Sequence, residues 1–291
     1  MKIKMIYEMI AHHYINKKKV TLPCDMSDNK KLLILATGTS ASEFWNDCAE
    51  RWKNFQNYDI MVMNRSIYKM KEQIFRLKPK YFAACDSIYW GADPGKKISS
   101  KLAEETYQKT KEVLEEINWD CFLITTIQEH FCFTNPKVKI IRINTVDYDS
   151  NHSWTYWLYK NNFAQPAVHN VAQLGIYYGI TFGYKEVGLV GIDFDFIKNI
   201  HCDKECKVGI YAEHQYEGKA TSVYLDRDVV GLYNNSVMAK YIYQTAEAIA
   251  CFGKLSMYAE RMNCKIYNYS LNSLLDCYEK KSLDGQERDE L

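Results

Sequence analysis

A chain of 291 residues, 47% of them hydrophobic, can bury one large core and is too apolar to remain disordered. Its formal net charge of +1 excludes a global electrostatic pull toward nucleic acid, and no apolar run is long enough to span a bilayer. Tyrosine stands out, with 23 against 12 Phe and 6 Trp: its ring and hydroxyl suit sugar and base surfaces, although a genomic bias accounts for many of them equally well.

Residues 1–30 read as a leader segment. Met1-Lys2-Ile3-Lys4-Met5-Ile6 lacks the uninterrupted apolar core of a signal peptide. It suits a short amphipathic helix ending at Lys17-Lys18-Lys19, packed against the domain or touching a membrane surface. Leu32 to Ala36 is a buried-strand run followed by Thr37-Gly38-Thr39-Ser40, and a helical pattern from Ala41 carries Phe44, Trp45, Cys48 and Trp52. Tyr58 to Met63 is a second strand, ending at Asn64-Arg65-Ser66. Tyr81 to Cys85 is a third, ending at Asp86-Ser87. Ser99 to Ile117 is charged and helical, and Cys121 to Thr125 and Val138 to Ile143 are further strands.

Asn170 to Phe182 places Val171, Leu174, Tyr178 and Phe182 at helical spacing and feeds a strand from Val187 to Phe194. Phe196 to Tyr233 is polar and without a period, which suits a lid of about residues 196–233 or a surface loop. Met238 to Met262 is helical, Cys264 to Tyr269 a strand, and Asn272-Ser273 the cap of a short helix from Leu274-Leu275. The alternation predicts an α/β fold: a mostly parallel sheet with helices on both faces and a lid insertion after the Gly191–Phe194 strand. The domain spans 31–280, and 281–291 is a charged tail.

The ten cysteines are scattered without a CxxC pair, and Cys85, Cys121, Cys251 and Cys264 fall inside apolar runs, which points to a reducing cytoplasm. His201-Cys202 with Cys206 resembles half of a zinc site, but no second pair stands nearby and no metal is expected there.

Four polar tips converge on one edge of such a sheet: Thr37-Gly38-Thr39-Ser40, Asn64-Arg65, Asp86-Ser87 and Asp193. The first is a strand-to-helix turn whose N–H groups suit a phosphate, though it is neither GxGxxG nor a Walker loop. Asn64 suits a ribose or base edge and Arg65 a phosphate or carboxylate, while turn chemistry explains both as well. Asp86 serves as a ligand group or as a helix cap. Asp193-Phe194-Asp195 has the spacing of a divalent-ion pair. In the insertion, Tyr211-Ala212-Glu213-His214-Gln215-Tyr216 offers a histidine able to take a hydroxyl proton near neutral pH, with tyrosines beside it.

Gly183-Tyr184-Lys185-Glu186 with Gly191-Ile192-Asp193-Phe194 resembles the central motif of the bacterial sialyltransferases of glycosyltransferase family 42, the Campylobacter-type lipooligosaccharide enzymes. The order of features is similar over residues 32–280, from the Ala36 to Ser40 turn to Asn272-Ser273-Leu274-Leu275. The resemblance implies a Rossmann-like, metal-independent transferase with a mobile lid, moving sialic acid or a related nonulosonic acid from a CMP-activated donor to a surface glycan acceptor. Carried over by position, Gly38 and Ser40 lie under the nucleotide phosphate, Asn64 contacts the donor, Asp193 sits near the ribose or cytosine, and His214 is the general base. Thr37 stands where the family commonly has Asn, Asp195 where it has Tyr, and an expected arginine is missing from Gln165 to Asn170. Tyr211 or Tyr216 would supply the missing tyrosine. No cofactor or nucleic acid is expected, the expected location is the cytoplasm or the inner face of the membrane, and a homo-oligomer stays open. Two other readings are a Mg²⁺- and ATP-dependent domain of the pterin pyrophosphokinase type acting through Asp193 and Asp195, and a non-catalytic nucleotide- or sugar-binding module.

Overall fold

A computed structural model describes residues 3–15, 31–89, 101–127, 129, 131–150, 152–212 and 221–283. Lys17-Lys18-Lys19, His214, Tyr216 and the tail beyond 283 lie outside the described residues. The strands are β1 (Lys31–Leu35), β2 (Tyr58–Met63), β3 (Tyr81–Ala83), β4 (Cys121–Thr126), β5 (Val138–Ile143), β6 (Glu186–Val190), β7 (Ile200–Cys202), β8 (Val208–Ala212), β9 (Thr221–Tyr224), β10 (Lys265–Asn268) and β11 (Glu279–Lys280). The helices are α1 (Ile3–Ile10), α2 (Ser42–Asn46), α3 (Cys48–Lys53), α4 (Ser66–Lys69), α5 (Lys71–Leu77), α6 (Lys101–Glu116), α7 (Ser153–Lys160), α8 (Val171–Thr181), α9 (Arg227–Val230) and α10 (Val237–Arg261).

Eight strands form one sheet in the order β11-β10-β6-β1-β2-β3-β4-β5, with every pairing parallel. This is the expected α/β, Rossmann-like arrangement. Its strands read as apolar runs because both faces are covered. Leu32, Ile34, Met61 and Leu189 point to the face packed by α8 and α10, whereas Leu33, Leu35, Val62 and Val190 point to the face packed by α2 to α6. Helix α8 is buried on all sides, which explains its lack of a polar stripe. Among the described residues no helix is long and apolar enough to cross a membrane.

Three differences from the sequence reading bear on the site. Strand β6 stops at Val190 rather than continuing to Phe194, because Gly191 (φ +76) and Phe194 (φ +52) leave extended geometry and turn the chain back. Strand β3 ends at Ala83, and Asp86 opens a 3-10 turn over Ser87–Tyr89. No helix follows Ser273; its hydroxyl donates to Ile192 O (2.8 Å) and accepts from Leu275 N (3.2 Å), and the chain then pairs through β11 beside β10. The insertion also has more order than its polarity suggests. β7, β8 and β9 form a separate antiparallel sheet, followed by α9.

A candidate functional site at the switch point of the sheet

Connections from β1 run to one side through β2 and β3, while β6 lies on its other side. A crevice opens beyond the carboxyl ends of strands at such a reversal. A cavity of about 340 Å³ lies there, lined by Thr37, Gly38 and Thr39 after β1, Asn64 after β2, Asp193 and Asp195 after β6, and Asn199 and Tyr211 from the insertion. Asn170 and Phe252 close it from the side of α8 and α10.

The floor is a hydrogen-bonded knot. Gly38 N donates to Gly191 O (3.0 Å) and Ala36 N to Val190 O (2.8 Å), so the two loops run on together past the strand ends. Trp45 from α2 holds the turn from behind, donating Nε1 to Ala36 O at 2.9 Å. Asp193, 6% exposed, then accepts from Ser40 N (3.0 Å), Thr39 Oγ1 (3.2 Å) and Ser40 Oγ. The backbone at Gly38 has no local side-chain cap for the turn Thr39–Ala41; the cap comes from Asp193, 153 residues further along. Ser40 Oγ and Ser270 Oγ are 2.7 Å apart, Ser270 Oγ accepts from Gly191 N (2.9 Å), and Leu274 N donates to Asp193 O (2.9 Å). The closing segment thereby locks the same floor. A Cβ at Gly38 would fall 2.5 Å from both Asp193 Oδ2 and Gly191 O, so the approach of the loops requires glycine.

This changes the part Asp193 can play. Its carboxylate occupies the helix-start N–H of Ser40, a group that would otherwise face an anion. Asp193 shapes the floor of the cavity rather than presenting a free carboxylate to it. Asp195 lies on the wall, and its side chain makes no capping bond to the turn Phe196–Asn199 that follows. Asn64 sits on the wall in a left-handed conformation (φ +48), its Oδ1 buried without a partner among the described residues, an acceptor left for a ligand.

Other tips are not brought to the wall. Ser40 lies behind Asp193. Arg65 starts α4, its carbonyl accepting from Tyr68 N and Lys69 N. Asp86 and Ser87 are exposed, and Asp86 Oδ1 accepts from Ile88 N at 3.2 Å, the cap role. Their strand lies two places from β1, roughly 10 Å away at the usual strand spacing.

Tyr211 reaches the cavity from β8. Its ring stacks on His201 of β7 (centroids 4.2 Å apart), and His201 Nε2 lies 3.1 Å from Ser222 Oγ of β9. The half zinc site of the sequence is thus a hairpin in which His201 supports Tyr211. Among the described residues no group of three or more His, Cys, Asp or Glu could hold a metal ion. His201 was singled out only as half of a zinc site, and Asn199, Asn170 and Phe252 were not legible as site residues. Only Asn170 carried a local signal, the N-cap of α8, accepting from Gln173 N at 3.0 Å.

No Lys, Arg or His lies among the described lining residues. The cavity can offer the Thr37 and Tyr211 hydroxyls, asparagine amides and backbone N–H groups to an anion, the Thr39 hydroxyl proton being given to Asp193, and an aromatic surface to a base or sugar.

No family model matches the chain, and no curated protein matches it. Among solved structures, the MAf glycosyltransferase from Magnetospirillum magneticum AMB-1 is similar over 98% of this chain and 39% of that one, with 12% identity and a TM-score of 0.48. The chain thus spans less than half the length of that protein. Likeness this distant is compatible with many chemistries.

Proposed function

We propose that the chain is a glycosyltransferase that holds a CMP-activated sialic acid or related nonulosonic acid in the switch-point cavity and passes it to a glycan hydroxyl. The observation that carries this reading is the convergence of the β1 turn, Asn64, Asp195 and Tyr211 on one cavity of about 340 Å³. That volume lies within the range of small-molecule sites.

In this reading Thr37, Gly38 and Thr39 face the donor phosphate, with Ser40 and Asp193 bracing them. Asn64 Oδ1 accepts from the ribose or base. The acceptor hydroxyl oxygen attacks the anomeric carbon, the bond from that carbon to the phosphate oxygen breaks, and CMP leaves with the electron pair. The acceptor proton passes to His214, which follows β8 closely in sequence. Tyr211 donates its hydroxyl to the departing phosphate, with Tyr216 as its partner from the same segment. A donor bearing a single phosphate suits a wall whose described residues include no cationic side chain, because hydroxyl and backbone donors can meet its charge.

The test is CMP release from CMP-Neu5Ac and a galactoside acceptor in EDTA. Release that depends on acceptor supports the reading. No release across a panel of CMP-nonulosonates, with folding verified by circular dichroism, overturns it. A thermal shift with ATP and Mg²⁺ but none with CMP would favour pyrophosphoryl transfer instead. CMP binding without turnover of any donor would leave a binding module.

A further inference from the structure

The outward face of α1 takes no part in the pocket. Ile3, Ile6, Tyr7 and Ile10 recur at helical spacing, and all four are exposed, Ile3 at 86% and Tyr7 at 66%. The inward side is secured. Met9 is buried, Met5 packs on the core, His12 Nδ1 lies 3.2 Å from Asn144 Oδ1, and the His13 ring stacks on Phe163 at 3.9 Å. Phe163 stacks in turn on Trp157 of α7, 57% exposed, and Trp154 is exposed one helical turn away. An apolar stripe on a helix already held by its other side is a surface kept for a partner.

Charge selects the partner. Residues 1–19 contain five lysines (Lys2, Lys4, Lys17, Lys18, Lys19) against one acid, Glu8, although the whole chain is only +1. A second copy of this segment would carry the same excess of lysines. An anionic lipid surface would attract them. Tyrosine and tryptophan are also the side chains that settle at the headgroup level of a bilayer.

We propose that this face docks on an anionic membrane surface, with α1 lying in the interface plane, Ile3, Ile6, Tyr7 and Ile10 turned into the lipid, and Trp154 and Trp157 at its border. The contact is peripheral and reversible, because the buried helix is short. The proposal is independent of the activity assigned to the pocket.

Co-sedimentation of the full chain with vesicles tests it. One set contains equal parts of phosphatidylcholine and phosphatidylglycerol, the other phosphatidylcholine alone. Binding is expected to the first set only, and to fall as salt is raised. The double variant Ile3→Asp/Tyr7→Asp is expected to lower the apparent affinity about tenfold or more with an unchanged melting temperature, since both side chains are solvent-facing. Lys4→Glu, at another exposed position, is expected to weaken the salt-sensitive part alone. Equal binding to both vesicle sets, or a double variant that binds like the parent, overturns the proposal. So does a lipid-free, concentration-dependent dimer in sedimentation velocity that the double variant abolishes.

Discussion

Gly38 and Asp193 show how closely the floor of the cavity is specified. Gly38→Ala would press a methyl group against a backbone carbonyl and a braced carboxylate, with an expected cost of about 1–3 kcal/mol and loss of CMP binding. Thermal melts and titration calorimetry check the two effects separately. Asp193→Ala leaves Ser40 N and two hydroxyls without their acceptor, so its stability is expected to fall by on the order of 2 kcal/mol. If Asp193 contacted only ligand, the apo protein would melt unchanged. His214→Ala is expected to lower transfer about 100-fold or more while leaving CMP affinity nearly intact. Full retained turnover would remove His214 from the mechanism. Asp86 and Asp193 both stood as acidic strand tips, the first read as a ligand group or a helix cap and the second as a donor contact. Both turn out to cap, Asp86 two residues away and Asp193 across the sheet, and local sequence could show only the first.

At the scale of elements, the insertion is the informative case. Its β7–β9 sheet is exposed on much of both faces, so it carries neither the apolar run of a buried strand nor a clean alternation. The support that His201 gives Tyr211 is what this concealed. Removing its ring in His201→Ala would free Tyr211 from its stack, with an expected loss of about 1 kcal/mol locally. Turnover is then expected to fall through kcat more than KM, because Tyr211 is assigned to the departing phosphate. An equal fall for Tyr211→Phe, with no further loss in the double variant, would show that the two act as one unit. By contrast, β1, β2 and β6 were plain in the sequence. Each is buried on both faces, and Leu32-Leu33-Ile34-Leu35 has no room for a polar side chain. The bounds of β2 agree with its sequence reading, whereas β6 was read too long because an apolar Ile192 and Phe194 continue past the glycine that stops the strand.

For the whole molecule, the opposite end of the sheet serves stability. Lys80 Nζ pairs with Asp59 Oδ2 at 2.7 Å, and Tyr184 donates to the same oxygen at 2.5 Å. Burial alone would lower the Lys80 pKa; the hydrogen bond to Asp59, helped by Tyr81 and the Asp59 charge, outweighs it and raises the pKa above its ordinary value. A raised lysine pKa stabilises the fold fully below the unfolded value, and the contribution fades as pH climbs through the folded value. The stability gap between the parent and Lys80→Met is therefore expected to stay constant up to about pH 10 and to narrow above it. Urea melts across that range check this, and a gap that widens with pH would reverse the assignment.

Sequence alone determined the α/β class, the buried strands of the sheet other than the exposed edge strand β11, and the polar tips at their carboxyl ends, because burial on both faces writes itself as apolar runs between short polar turns. Tertiary structure alone decided which tips share a cavity. Strand order is set by packing and crossover connections rather than by local pattern, so β6 beside β1, Asp193 tied to Ser40, and Tyr211 propped on His201 appear only once residues distant in the chain are brought together.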